Sequence, residues 1–175
     1  MRIFLVGFMA SGKSTVGPRV AKRLGLSFVD LDDVIEQDAE RTIPAIFEAE
    51  GESGFRQREA EALRRVAQRD DVVVALGGGT FVDAGNRRVA LQHGTVVYLD
   101  VPPDVILSRV AEEAAHRPLL QDDAGRPLAP DAMEAAIRQL LGTRRPAYET
   151  ATHGVDAAAP PRTVVERVVD AVGEA

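Results

Sequence analysis

Gly7-Phe8-Met9-Ala10-Ser11-Gly12-Lys13-Ser14 fits the pattern G-x-x-x-x-G-K-[ST], and the residues before it, 2–6, read as a short apolar strand. Glycines at the two ends of such a loop let the backbone curl until successive amide N–H groups converge on phosphate oxygens. Lys13 then reaches the β- and γ-phosphates, and Ser14 is placed to hold Mg²⁺. Residues 15–24 follow with Val16, Val20 and Leu24 at helical spacing, so the phosphates would also sit on a helix N-terminus. A strand, a glycine loop and a helix in that order predict a nucleoside triphosphate binder.

Beyond this loop the chain alternates. Short apolar runs at 3–6, 27–29, 72–76, 96–99 and, more weakly, 153–157 have the character of buried parallel strands. Helical periods lie between them: 30–40, 52–69, a segment capped by Asp83 running to 91, another opened by Pro103 running to 111, and a closing helix at 163–172. Alternation of this kind implies a parallel sheet with helices on both faces, an α/β fold. Residues 112–130 break both periods with Pro118, Gly125, Pro127 and Pro130, and a mobile lid is expected there.

At 175 residues a single domain is expected. A hydrophobic fraction of 45% with 27% charged residues is that of an ordinary soluble globular protein, and no stretch approaches a membrane span. The apolar run at 3–10 is interrupted by Gly7, leads into the phosphate loop and lacks a cleavage site, so a cytoplasmic protein is expected. The absence of cysteine excludes disulfides and thiol chemistry. A net charge of −6 argues against nucleic acid as a partner. His93, His116 and His153 show no metal-ligand spacing and read as surface or packing residues.

Three further groupings carry chemistry. Asp30 and Asp32 stand two residues apart beyond the second strand, where ligands bind in open α/β sheets. In extended chain they point the same way, so one can serve Mg²⁺ while its neighbour accepts a proton from a hydroxyl. Asp33 is read as capping or charging the next helix. Gly77-Gly78-Gly79 follows the third strand, a turn that lets a ligand lie against backbone. Arg56, with Glu59 three residues on to orient it, and Arg109, Arg117 and Arg145 offer guanidinium forks for carboxylate or phosphate.

Together these stretches resemble the shikimate kinase family: GFMASGKSTVG (7–17), FVDLDDVIE (28–36), IPAIFEAEGESGFRQRE (43–59), LGGGT (76–80), RPLL (117–120) and RRPAYE (144–149). The resemblance implies a three-layer α/β/α P-loop fold of the nucleoside-monophosphate-kinase kind, with a central five-stranded parallel sheet in the order 2-3-1-4-5. It implies one domain over 1–175, a substrate-binding helical region at about 31–62 and a lid at about 111–126. The implied activity is transfer of phosphate from ATP to the 3-hydroxyl of shikimate, on the route to chorismate and the aromatic amino acids, with Mg²⁺ as cofactor, by a monomer.

The same resemblance implies roles. Ala10, Ser11, Gly12, Lys13, Ser14, Thr15, Arg109 and Arg117 would bind ATP, and Ser14 with Asp30 would hold the metal. Asp32, Phe47, Phe55, Arg56, Gly77, Gly78, Gly79, Leu119 and Arg145 would bind shikimate. Lys13, Asp32 and Arg117 would be catalytic, with Asp32 kept ionised by surrounding cations. Ala10 replaces a frequent family glycine, a change expected to be tolerated if φ there is negative. Val110 replaces an arginine that often follows the adenine-stacking position, which leaves Arg109, Pro160 and Arg162 as candidates for adenine contacts. Another small-alcohol kinase of this fold, such as a gluconate kinase, and an ATP-sensing module are the alternatives. Arg56, the glycine turn and Arg145 speak against the former, and the filled catalytic positions against the latter.

Overall fold

Five short strands, the three central ones rich in β-branched and aliphatic residues, form one parallel sheet in a computed structural model that describes residues 1–110, 120, 121, 126 and 128–173. The strands are β1 (Arg2–Val6), β2 (Ser27–Asp30), β3 (Val72–Ala75), β4 (Thr95–Asp100) and β5 (His153–Asp156), in the order β2-β3-β1-β4-β5. All of β3 is buried. Because consecutive strand residues point to opposite faces, that burial requires helices over both.

Register decides where the site forms. Leu5 of β1 and Asp30 of β2 both pair with Ala75 of β3, and Val6 pairs with Tyr98 of β4. The C-terminal ends of β1, β2 and β3 are therefore level, and the phosphate loop, Asp30 and the glycine turn leave the sheet at one edge. The chain runs to one side of β1 for β2 and β3 and to the other for β4 and β5, so β1 marks the reversal at which such sheets bind ligands.

Among the described residues seven α-helices surround the sheet: α1 (Lys13–Leu24), α2 (Leu31–Ala39), α3 (Ile43–Val66), α4 (Ala84–His93), α5 (Pro103–Val110), α6 (Pro130–Tyr148) and α7 (Pro161–Gly173). Gly17 of α1 admits the Phe28 ring, which would lie 2.2 Å from a Cβ built there. Asp83 caps α4 by accepting from the Asn86 N–H at 2.8 Å, as its position predicts. The helix predicted from residue 52 begins at Ile43 instead. Thr42 caps it, and Gly51, with φ of 69°, interrupts it just where the predicted segment starts. The sequence pattern does not separate helix α6 from the loop before it, although Met133, Ile137, Leu141 and Tyr148 line its buried face. Most of the predicted lid, including Arg117 and Leu119, lies outside the described residues.

One expectation about the acidic pair fails. β2 ends at Asp30 and α2 begins at Leu31, so Asp30 and Asp32 do not share an extended segment. Asp30, and not Asp33, is the cap of α2: its Oδ1 accepts from the Asp32 N–H at 3.1 Å. Asp33 only adds charge to the first turn.

Candidate active site

Backbone geometry shapes the phosphate loop. Gly7 has φ of 150°, and a Cβ on it would come within 2.8 Å of the Leu99 carbonyl oxygen, so strand β4 permits only glycine there. Gly12, at φ of 96°, turns the chain into α1, whose first turn has no side-chain cap and no acidic residue. That leaves the helix N-terminus suited to an anion. Lys13 Nζ donates to the carbonyl oxygens of Gly7 and Phe8 at 2.9 and 3.0 Å, folding the ammonium over the loop. Ala10 departs from expectation: its φ is 55°, in the left-handed region that costs an L-residue roughly 1–2 kcal/mol.

Beside the loop, Ser14 Oγ donates to Asp30 Oδ2 at 2.8 Å. A hydroxyl and a carboxylate in contact form a hard oxygen pair, the donor set that suits Mg²⁺ held mainly by water and phosphate oxygens. Among the described residues no cluster of three or more acidic or histidine side chains could hold a metal alone. The arrangement fits an ion that arrives with a nucleotide.

Each of the three glycines after β3 lies beside a charged side chain. A Cβ on Gly77 would lie 2.9 Å from Asp32 Oδ1, one on Gly78 3.5 Å from Arg144 Nη1, and one on Gly79 3.0 Å from Arg56 Nη1. None of these glycines has positive φ; Gly77 and Gly79 are needed here for space, whereas a Cβ on Gly78 would make ordinary contact. One acid and two guanidiniums thus converge on three consecutive backbone units.

Each charged group is held from behind. Glu59 is buried; it pairs with Arg56 at 3.0 Å, as the spacing predicts, and accepts from Thr80 Oγ1 at 2.7 Å. Glu52 approaches the other side of Arg56 at 3.5 Å. Phe55 is buried under Arg56 and stacks on the more exposed Phe47 with ring centroids 4.6 Å apart. Arg144 lies over the Phe8 ring, and the Tyr148 hydroxyl donates to the Gly78 carbonyl.

Asp32 departs from the expected cationic setting. Burial, then the charges of Asp30 and Glu59, push its pKa from 3.8 to about 6, and Lys13 opposes the shift only in part. It is still mostly ionised at neutral pH, with a pKa close enough to neutrality for proton exchange.

Arg145 is a second correction. It turns away from the glycine turn to meet Asp100 at 3.2 Å and Glu149 at 4.0 Å, and the neighbouring Arg144 faces the turn. Helical phase explains this. At 100° per residue, Arg144 lies about 25° from the midline of the stripe formed by Met133, Ile137, Leu141 and Tyr148, and Arg145 about 75° from it. The signal is present in the sequence, but reading it requires recognising α6 as a helix.

Of the candidates for adenine, Arg109 donates to the carbonyl oxygens of Ala10 at 3.0 Å and Ala157 at 2.9 Å. Arg162 is almost wholly exposed and its described partner is Glu166. Pro160 is exposed. Thr80, Tyr148 and Arg144 are the site residues that sequence reading misses.

A family model described as Shikimate kinase matches residues 9–173. A shikimate kinase of Salinibacter ruber is 52% identical over 172 residues, covering 98% of this chain and 84% of that one. One of Halorhodospira halophila is 43% identical over 173 residues, covering 98% and 93%. Among solved structures, a shikimate kinase from Acinetobacter baumannii in complex with shikimate superimposes with a TM-score of 0.87 at 38% identity, covering 99% of this chain and 93% of that one. A gluconokinase from Sinorhizobium meliloti reaches a TM-score of 0.62 at 21% identity, covering 99% and 91%, a likeness of fold alone.

Proposed function

The chain belongs to the shikimate kinase family and is a kinase that phosphorylates shikimate with ATP, and from that premise we infer how its residues divide the work. The observation that carries the reading is the triple pairing along the glycine turn: Gly77 with Asp32, Gly78 with Arg144 and Gly79 with Arg56. A small ring acid laid against that turn would meet two guanidiniums for its carboxylate and one carboxylate for its hydroxyls. Each desolvated charged contact is worth about 1.5–3 kcal/mol.

On the nucleotide side, the amides of residues 10–15 and Lys13 hold the β- and γ-phosphates. Ser14 and Asp30 would hold Mg²⁺, which when bound would offset charge on the phosphate oxygens. Asp32 accepts the proton or hydrogen bond of the 3-hydroxyl as that oxygen attacks the γ-phosphorus, and its raised pKa suits a base at neutral pH. Phe47 and Phe55 wall the shikimate pocket, and Arg56 and Arg144 hold the carboxylate. The lid roles of Arg117 and Leu119, closure over the transferring phosphoryl group and over the acceptor, rest on the motif RPLL.

The phosphate loop, the Ser14–Asp30 pair, Asp32, Arg56 and Arg144 meet within one fold, so the reading takes a monomer as the working unit and needs no residue from a second subunit. Family membership supports a cytoplasmic enzyme. Among the described residues no helix is long and apolar enough to cross a membrane.

A coupled assay of ADP release tests the acceptor. Shikimate should be turned over far better than gluconate or any nucleoside monophosphate. Equal or greater activity with one of those would overturn the reading.

A further inference from the structure

Ala10 holds a left-handed conformation with no polar side chain to stabilise it. What stabilises it comes from another part of the chain. Arg109, in the last turn of α5, donates from Nη1 to the Ala10 carbonyl at 3.0 Å. Its Nη2 donates to the Ala157 carbonyl at 2.9 Å and approaches that of Ala158 at 3.5 Å. Ala157 is buried, and its N–H is bonded to the Asp100 carbonyl at the end of β4. The guanidinium therefore bridges a fixed point at the sheet edge to the strained point of the phosphate loop.

The Ala10–Ser11 peptide is a rigid plane. Arg109 holds its oxygen, while its N–H, that of Ser11, donates to the Phe8 carbonyl at 3.2 Å. Both ends of the plane are pinned. Without the bridge, Ala10 would gain by relaxing toward negative φ, and that rotation would swing the amides that face the phosphates.

We propose that Arg109 is a positioning residue: by clamping the Ala10 carbonyl to the sheet edge through Ala157, it holds the phosphate loop in its binding conformation, a task made necessary by alanine at position 10. The proposal rests on the loop binding ATP as inferred above. It concerns the loop backbone and needs no contact between Arg109 and the base.

The test compares the wild type, Arg109→Met, Ala10→Gly and the double variant. Readouts are KM for ATP, kcat, and competition by inorganic tripolyphosphate, which carries phosphates and no base. Arg109→Met should weaken both ATP and tripolyphosphate about tenfold while kcat changes less than about threefold. In the Ala10→Gly background, where glycine carries no penalty at positive φ, the same substitution should cost about threefold or less. Equal losses in both backgrounds, or a loss for ATP with none for tripolyphosphate, would overturn the clamp and assign Arg109 to the base. Arg109→Lys, whose single ammonium cannot reproduce the fork, replaces the methionine variant if that does not fold. A wild type that binds neither ATP nor tripolyphosphate would instead overturn the nucleotide reading itself.

Discussion

Asp32 Oδ1 lies 2.9 Å from where a Cβ on Gly77 would stand, and the same Cβ would be 3.0 Å from Thr80 Oγ1. Asp32 is therefore seated against the gap that glycine leaves at position 77. Gly77→Ala should lower kcat by about tenfold or more, because a small displacement of a reacting group is costly. Steady-state kinetics with shikimate would check this, and unchanged kcat would mean that Asp32 is free to move aside.

Asp32 is more easily protonated folded than unfolded, its pKa rising from 3.8 to about 6. Between those values the folded state holds a proton that the unfolded chain has released. This group's effect on stability thus grows less favourable as pH rises through that window, and at neutral pH it costs about 1–3 kcal/mol. Asp32→Asn should be more stable than the wild type by about that amount at pH 7.5, with the advantage shrinking toward pH 4 in urea unfolding.

The same shift sets the pH dependence of activity. In the wild type, kcat/KM for shikimate should fall as pH drops below about 6, as Asp32 gains its proton. Asp32→Asn should lose most of its kcat and this acid limb as well, while ATP binding by calorimetry stays nearly intact. A limb that persists in the variant would assign the base elsewhere.

Arg144 faces Gly78 and Arg145 faces Asp100. Arg144→Ala should raise KM for shikimate about 10- to 100-fold, the loss of one desolvated charged contact. Arg145→Ala, which removes an ion pair about 40% exposed on each side, should change it less than about threefold. The reverse order would restore Arg145 to the pocket.

Ser14 and Asp30 are in contact at 2.8 Å, and Asp30 also caps α2. Asp30→Asn keeps a capping side chain while removing the charge. The Mg²⁺ concentration for half-maximal activity should rise several-fold with little change in Tm. An unaltered Mg²⁺ requirement would take Asp30 out of the metal site.

Much of this is legible in order and spacing. The phosphate loop, the alternating strands, the Asp30–Asp32 pair and the glycine turn are local patterns whose physics is contained in a few neighbouring residues. Glu59 is recognisable as the partner of Arg56 because three residues on a helix is itself a distance. What fails depends on where a helix starts and how it is rotated. The motif alone points to Arg145 rather than Arg144, because the period is broken up to residue 130 and the phase of α6 cannot be read without its start.

A strand, a glycine loop and a helix suited to nucleotide phosphates, and a parallel sheet, follow from the order of residues, because turn geometry and hydrophobic period are short-range. The setting of Asp32 belongs to the tertiary structure, since its pKa is raised by burial first, then by Asp30 and by Glu59 from another helix. Positive φ at Ala10, and the hydrogen bond to its carbonyl from Arg109 ninety-nine residues away, are visible in the folded chain alone. A backbone angle is shaped by what holds the carbonyl beside it, and that partner comes from a part of the chain no local pattern reaches.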